Sequence, residues 1–133
     1  CETLGVSLRT ATPDAPISRD KMGDFYSKNH ILICTSAHEG GPMPIVEALA
    51  SARPVISTNV GVVPEMVKNG YNGLIIERSQ SALKNAIETM IQNPNLVEEM
   101  HQNILKDEFT RYTEKMLESY YAMFESLESN GAE

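Results

Sequence analysis

Apolar residues along this chain fall into short runs separated by segments of helical periodicity. The runs lie at residues 31–35, 55–56 and 74–76, and they consist mainly of isoleucine, leucine and valine. A Gly-Gly-Pro break and one amphipathic, helix-length segment separate the first run from the second. Such spacing is typical of buried parallel strands joined by crossover helices. The pattern therefore predicts an α/β fold in which residues 30–58 form a strand, a loop, a helix and a second strand.

The segment before this unit is predicted to hold a short strand and a helix. Residues 5–9 read as the strand, and a loop rich in Pro, Ser and Thr follows it. Ser18 is expected to cap a helix over residues 19–28. Phe25 and Tyr26 of that helix are interpreted as core packing.

Helices dominate the second half of the chain. Residues 64–68 read as a short helix, and Ser79 or Ser81 is expected to cap a longer one that Pro94 interrupts. The segment beyond residue 125 is small and polar, so residues 126–133 are predicted to fray. Apolar stripes mark the long helix and two more after the proline: Leu83, Ala86, Ile87, Met90 and Ile91; Leu96, Met100, Ile104 and Leu105; Phe109, Tyr112, Met116, Tyr120 and Phe124.

Length and composition indicate a single globular domain, residues 1–133. The hydrophobic fraction is 41%, and no apolar segment approaches the roughly 18 residues of a membrane span. No basic, apolar leader stands at the N-terminus, so nothing predicts secretion. Cys34 lies in a predicted strand and is expected to be a free core cysteine. The predicted location is the cytoplasm, either in solution or peripherally at the inner membrane face.

Charge and motif spacing exclude several classes of function. The net charge is −7, of which residues 98–133 contribute −6, and polynucleotide binding needs the opposite sign. The three histidines are far apart and no Cys-x-x-Cys or Asp-x-Asp motif occurs, so no metal site or cofactor is expected. A Gly-x-Gly-x-x-Gly fingerprint and a Gly-x-Ser-x-Gly elbow are also absent, which argues against dehydrogenases and hydrolases.

Two glutamates flank the Gly-Gly-Pro break and are the main candidate site residues. Glu39 is assigned to the loop, because two glycines and a proline would break a helix that joined it to Glu47. Pro44 fits the first helical position, which places Glu47 about one turn inside the helix. One turn is roughly 5.4 Å, so the two carboxylates can face the same small volume.

The loop between the glutamates is suited to an anion. The backbone amides of Gly40, Gly41 and Met43 would donate to phosphate, with a helix N-terminus behind them, whereas Pro42 donates nothing. Carboxylates accept paired hydrogen bonds from vicinal hydroxyls. Together they predict a polyhydroxylated ligand that carries phosphate, such as a nucleotide sugar. His38 is a weaker candidate for ligand contact.

A second polar segment follows the second strand. Ser57, Thr58 and Gly61 lie where that strand ends, and ligands bind at the carboxyl edge of open parallel sheets. They are therefore candidate ligand-binding residues. Glu65 could cap its own helix amides or approach the ligand.

The segment SAHEGGPMPIVEALASARPVISTNVGVVPEMVKNGYNGLII resembles the donor-binding core of retaining glycosyltransferases of family 4, which have the GT-B architecture. Glu39 and Glu47 match the family's Glu, seven residues, Glu pattern. Residues 61–65 match a turn that ends in Pro-Glu, although Val62 stands where the family frequently has a second glycine. The resemblance covers about residues 25–94 and implies a Rossmann-like parallel sheet with flanking helices, part of a GT-B C-terminal domain.

The resemblance also implies roles for these residues. Glu39, the candidate catalytic residue, would contact the hydroxyls of the transferred sugar, and Glu47 would hold the ribose of the nucleotide. The backbone of Gly40 and Gly41 would approach the sugar and the pyrophosphate. The substrate would be a nucleoside-diphosphate sugar, bound without metal.

By the same resemblance the activity would be that of a hexosyltransferase-like enzyme of polysaccharide biosynthesis. The acceptor, a glycan or a lipid, would bind to an N-terminal domain that this sequence lacks. It also lacks the family's Gly-Arg strand end and nearby lysine, which bind pyrophosphate, so the fragment alone is expected to be inactive. Two alternatives remain: a GT-B-type sugar-nucleotide epimerase, and a non-catalytic module that only docks a partner.

Overall fold

A three-stranded parallel sheet is the centre of the chain. In a computed structural model, the structure describes residues 4–11 and 14–107. The strands are β1 (Leu32–Cys34), β2 (Val55–Thr58) and β3 (Gly73–Ile76), and they lie in the order β1-β2-β3. β2 is central and entirely buried, because it pairs with both neighbours. The predicted α/β fold with a parallel sheet is therefore confirmed.

Helices connect the strands and cover both faces of the sheet. They are α1 (Met22–Ser27), α2 (Met43–Ala50), α3 (Val63–Met66), α4 (Gln80–Gln92) and α5 (Pro94–Lys106), with a 3₁₀ turn (Arg19–Lys21) directly before α1. The Ser79 hydroxyl accepts a hydrogen bond from the Ala82 amide at 3.1 Å, so Ser79 and not Ser81 caps α4. α2 begins at Met43, and Pro44 is its second residue, not its first as predicted.

Two apolar clusters lie on opposite faces of the sheet. Val55 and Ile56 are adjacent in β2 and point to opposite sides, as successive residues of a strand do. The first cluster surrounds Val55 and contains buried residues of α1, α2, α3 and α5: Tyr26, Ile45, Leu49, Val63, Met66 and Ile104. The second surrounds Ile56 and contains buried residues of α4 and α5: Ala86, Ile87, Met90 and Met100.

Several predictions at the chain ends and on the helix surfaces were wrong. Residues 5–9 form no strand: Gly5 has φ +66°, and the segment after it is irregular and mostly exposed. Ser18 makes no side-chain cap hydrogen bond, although its carbonyl accepts from the Lys21 amide. Ile91 and Leu105 were placed on apolar faces but are 41% and 53% exposed. The apolar stripe on each of these two helices is wider than the area that packs against other described residues.

Some predictions concern residues at the limits of the description. The third helix of residues 109–124 and the frayed end at 126–133 lie outside the described residues. Cys34 is a free thiol, as predicted, but it is only half-buried because β1 is an edge strand of the described sheet. Over residues 4–11 and 14–107, no helix has the length and hydrophobicity that crossing a membrane requires.

Candidate functional site

The carboxyl ends of the three parallel strands lie along one edge of the sheet. The loop after β1 (residues 35–42) leads from this edge into α2, and the loop after β2 (residues 59–62) leads into α3. The first loop contains Glu39, and the helix that follows it contains Glu47. This edge is where ligands bind in open α/β sheets. The main predicted site residues therefore lie on two adjacent loops and one helix start.

Hydrogen bonds hold the Glu39 side chain. The Ser36 hydroxyl donates to Glu39 Oε1 at 2.9 Å, and the Thr58 hydroxyl donates to the Ser36 carbonyl at 2.7 Å. Thr58 is buried at the end of the central strand, whereas Glu39 is exposed. The buried strand thus fixes Ser36, and Ser36 orients a carboxylate that stays open to solvent.

Gly61 brings the two loops into backbone contact. Its φ is +50°, and a Cβ at this position would clash with the Glu39 and Gly40 carbonyl oxygens. Both the left-handed backbone and the missing side chain are therefore needed here. Val62 has φ −82° and does not require glycine, so the turn forms without the second glycine that the resembled family frequently has.

Glu47 is half-buried on α2 and is held from a different direction. The Tyr26 hydroxyl donates to Glu47 Oε2 at 3.0 Å and lies 3.4 Å from the Pro44 carbonyl oxygen. The ring of Tyr26 is in the core and only 4% exposed. Burial raises the pKa of the Tyr26 phenol most, and the hydrogen bond to Glu47 and the charge of that carboxylate raise it further. Tyr26 is therefore a neutral donor to Glu47.

Tyr26 is expected to remain protonated at a pH where free tyrosine is mostly ionised. The resonance of a ¹³C-labelled Tyr26 Cζ should keep its protonated shift at about pH 10.5. An unfolded tyrosine has a pKa of 10.0, and the pKa of Tyr26 in the folded protein is higher. The free energy of unfolding should therefore decrease as pH rises above 10.0, because the unfolded chain then loses the proton more readily than the folded protein. In Glu47→Gln the pKa should fall but stay above 10.0, because burial remains. Ionisation at the ordinary pKa would contradict the buried contact.

The backbone between the glutamates has free donors. The amides of Gly40, Gly41 and Met43 donate to no other group among the described residues. The Ile45 amide, by contrast, donates to the Pro42 carbonyl. A Cβ added at either glycine would meet nothing within 4 Å, so the loop has open space beside it. These amides lie just before and at the N-terminus of α2, which favours an anion there.

The other predicted site residues differ in their surroundings. Ser57 is fully buried and its hydroxyl donates to the Thr58 carbonyl, so in this structure the hydroxyls of both Ser57 and Thr58 bond to the protein. His38 and Glu65 are exposed, and their side chains make no hydrogen bond within residues 4–11 and 14–107. Glu65 therefore does not cap its own helix. Met43 is 59% exposed at the start of α2. Contact of these residues with a donor stays a prediction.

Sequence reasoning missed three side chains at this edge. Tyr26 was assigned to packing alone, and its hydroxyl is the part that contacts Glu47. Ser36 received no role, although a serine three residues before a loop glutamate is a usable signal. Arg78, directly after β3, donates from Nε to the Thr35 carbonyl at 3.3 Å and so places a cation beside the first loop. Among the described residues, no group of three or more His, Cys, Asp or Glu residues could hold a metal ion.

Comparison with known proteins identifies the family. Residues 15–107 match the family model described as Glycosyl transferases group 1. The chain belongs to this family. One similar protein is an uncharacterized glycosyltransferase of Methanocaldococcus jannaschii, 38% identical over 87 residues that cover 65% of this chain and 25% of that protein. The capsular polysaccharide biosynthesis glycosyltransferase CapM of Staphylococcus aureus is 30% identical over 105 residues, 75% of this chain and 28% of CapM. The chain spans about a quarter of the length of these relatives.

Solved structures share the fold of this chain. Sucrose-phosphate synthase from Thermosynechococcus elongatus matches with a TM-score of 0.69 at 23% identity, over 84% of this chain and 30% of that one. Anabaena HepE in complex with UDP and glucose matches with a TM-score of 0.66 at 22% identity, over 77% and 30% of the two chains. These matches confirm the predicted fold, a Rossmann-like sheet that forms part of a GT-B domain.

Proposed function

We propose that this group 1 chain forms the donor-binding side of a glycosyltransferase that moves a sugar from a nucleoside diphosphate to an acceptor hydroxyl. One observation carries the proposal. Two carboxylates, each held by a hydroxyl donor, lie before and after a loop with three free backbone amides at the carboxyl edge of the sheet. Carboxylates suit sugar hydroxyls, and free amides at a helix start suit phosphate.

Each group has a part in the proposed transfer. The bond between the sugar C1 and the diphosphate oxygen breaks, a bond from C1 to the acceptor oxygen forms, and the nucleoside diphosphate leaves with the proton of the acceptor hydroxyl. The amides of Gly40, Gly41 and Met43 would stabilise the negative charge on the leaving diphosphate. Glu39 would orient the sugar, and Glu47 would accept hydrogen bonds from the ribose hydroxyls. We expect no metal in this step, because the amides and helix dipole face the phosphates.

The similar proteins support this class of reaction. CapM acts in capsular polysaccharide biosynthesis, and the HepE structure contains UDP and glucose. A hexose donor and a glycan or lipid acceptor are therefore part of the proposal. Retention of the anomeric configuration rests on the resemblance to family 4 enzymes. A cytoplasmic location is suggested by the free thiol of Cys34, since exposed and half-buried thiols persist where the environment is reducing.

Catalysis would require more protein than these residues supply. Transfer depends on holding the donor and the acceptor together in a closed cleft from which water is excluded. The relatives are about four times longer than the segment they share with this chain. We therefore propose that the acceptor binds to a further domain and that residues 1–133 alone transfer no sugar.

Nucleotide titration of the full-length protein tests the proposal. UDP, GDP and ADP are titrated by calorimetry, and at least one should bind. Glu47→Ala should then weaken that nucleotide about 10- to 100-fold, the range for losing a hydrogen bond to a charged group. Glu98→Ala removes a carboxylate that bonds to Gln102 on α5 and should leave affinity unchanged. Equal affinity in the wild type and Glu47→Ala would remove Glu47 from the site.

Product analysis separates the alternatives. Incubation of the full-length protein with nucleotide sugars and a candidate acceptor should release nucleoside diphosphate together with a glycoside. An epimerase would instead return a nucleotide sugar of altered stereochemistry. A docking module would bind no nucleotide. Addition of a nucleotide sugar would then leave the amide resonances of residues 36–65 unchanged. Either of these results would overturn the proposal.

A further inference from the structure

We infer that Tyr26 is a positioning residue that holds Glu47 for a ribose diol and thereby makes the site select ribonucleotides over deoxyribonucleotides. This inference rests on the proposed function, in which Glu47 accepts the ribose hydroxyls. It adds a residue from α1, outside the loop that defines the site. The argument depends on how firmly Tyr26 is fixed and on which carboxylate oxygen it leaves free.

The phenol is held firmly from several sides. Tyr26 is 4% exposed and belongs to the first apolar cluster, which surrounds Val55. Its ring packs edge-on against Phe25, with ring centroids 5.7 Å apart. The end of α1 is tied to the segment before β2, because Arg53 donates from Nη2 to the Ser27 carbonyl at 3.3 Å. The hydroxyl faces the first turn and a half of α2, where Pro44 and Glu47 supply its acceptors.

Only one of the two oxygens of Glu47 is engaged by Tyr26. Oε2 accepts the tyrosine hydroxyl at 3.0 Å, whereas Oε1 has no hydrogen-bond partner among the described residues. A carboxylate has about four lone-pair sites, so one donor leaves enough capacity for two vicinal hydroxyls. Because Tyr26 is a neutral donor fixed in the core, the free oxygen keeps one orientation before any ligand binds.

Pre-organisation of this kind increases affinity only for ligands that use the oriented group. A ribose offers both the 2′- and 3′-hydroxyls, which can bond to one carboxylate as a pair. A 2′-deoxyribose offers a single hydroxyl and gains little from a fixed carboxylate. Without the phenol hydroxyl, Glu47 would have to give up rotamer freedom at the moment of binding. Removal of the phenol hydroxyl should therefore lower the affinity for the ribonucleotide.

The test compares two nucleotides on four proteins. The ribonucleoside diphosphate found to bind in the titrations above and its 2′-deoxy counterpart are titrated against the full-length wild type, Tyr26→Phe, Glu47→Gln and the double variant. Tyr26→Phe keeps the buried ring and should weaken the ribonucleotide about 5- to 10-fold, the effect of one hydrogen bond, while leaving the deoxynucleotide unchanged. The double variant should bind no more weakly than Glu47→Gln alone.

Tyr71→Phe is a matched control. Tyr71 also donates its hydroxyl to a carboxylate, Asp107 Oδ1, at 3.0 Å, but Asp107 is the residue directly after α5 and lies outside the proposed site. Loss of the Tyr71 hydroxyl should leave the affinities for the ribonucleotide and the deoxynucleotide unchanged. Melting temperatures of all variants show whether a change in binding follows a change in folding.

Each outcome has a distinct meaning. If Tyr26→Phe weakens both nucleotides equally, or neither, while Glu47→Gln weakens the ribonucleotide, the positioning role is overturned and the proposed function stands. If Glu47→Gln has no effect on either nucleotide, Glu47 is removed from the site and this inference fails, while the proposed function stands on nucleotide binding. If no nucleotide binds, the proposed function fails and this inference fails with it. Selective loss in Tyr26→Phe that disappears in the Glu47→Gln background supports the inference.

Discussion

Replacement of Gly61 by alanine is expected to destabilise the domain by about 2–4 kcal/mol and to abolish tight nucleotide binding. Gly61 has φ +50°, which costs an alanine roughly 1–2 kcal/mol. Its added Cβ would also collide with the carbonyl oxygens of Glu39 and Gly40, and backbone atoms cannot rotate away as a side chain can. Relief requires the first loop to shift, which moves Glu39 and the free amides. Urea denaturation and nucleotide titration of the full-length protein measure the two effects.

Gly70→Ala separates the two causes. Gly70 has φ +79°, but a Cβ there would meet nothing within 4 Å. Its substitution therefore carries only the cost of the left-handed backbone, about 1–2 kcal/mol, and should leave nucleotide affinity unchanged. Similar behaviour of the two variants would mean that the contact between the loops has no influence on the site.

Substitution of Glu39 by glutamine should lower kcat for sugar transfer about 100-fold, the usual effect of removing one pre-organised electrostatic group. Glutamine can still accept the Ser36 hydroxyl, so the loop should keep its shape while losing its charge. Because Glu39 is proposed to contact the sugar and not the nucleotide, affinity for the nucleoside diphosphate alone should change little. Steady-state kinetics measure kcat, and calorimetry on the same preparation measures the affinity for the nucleoside diphosphate.

A second carboxylate on the same edge serves as the control for this experiment. Glu77 directly follows β3 and is exposed, so Glu77→Gln removes one negative charge near the site without removing a proposed ligand. It should leave kcat within about twofold, since exposed charges in water interact weakly. A comparable loss in both variants would show that kcat responds to net charge at this edge. An unchanged kcat in Glu39→Gln would remove that residue from catalysis.

Local pattern was sufficient to predict the framework of the fold. The three apolar runs became β1, β2 and β3, because strands buried on both faces need continuous apolar sequence. Glycine and proline placed Glu39 in the loop and Glu47 on the helix, as predicted, with an error of one residue in the helix start. Both signals depend on residues that are near one another in the chain.

What sequence could not give is the set of hydrogen bonds between distant segments. Tyr26 and Glu47 are 21 positions apart, and Ser36 and Thr58 are 22 positions apart. Their pairing depends on how α1 packs on α2 and on the register of β1 with β2, neither of which has a local signature. The failed strand at residues 5–9 has a related cause: an apolar alternation becomes a strand only when it pairs with a neighbour, and residues 5–9 do not pair with the described sheet.

The backbone contact at Gly61 has a consequence for how the proposed donor specificity can change. Since the loops after β1 and β2 touch through main-chain atoms, an insertion or deletion in one would leave the other without its neighbour. New sugar preferences are therefore expected to arise by exchange of exposed side chains, such as His38 and Asn59, at constant loop length. Libraries that randomise these two positions should retain folded members far more often than libraries that vary the number of residues between them.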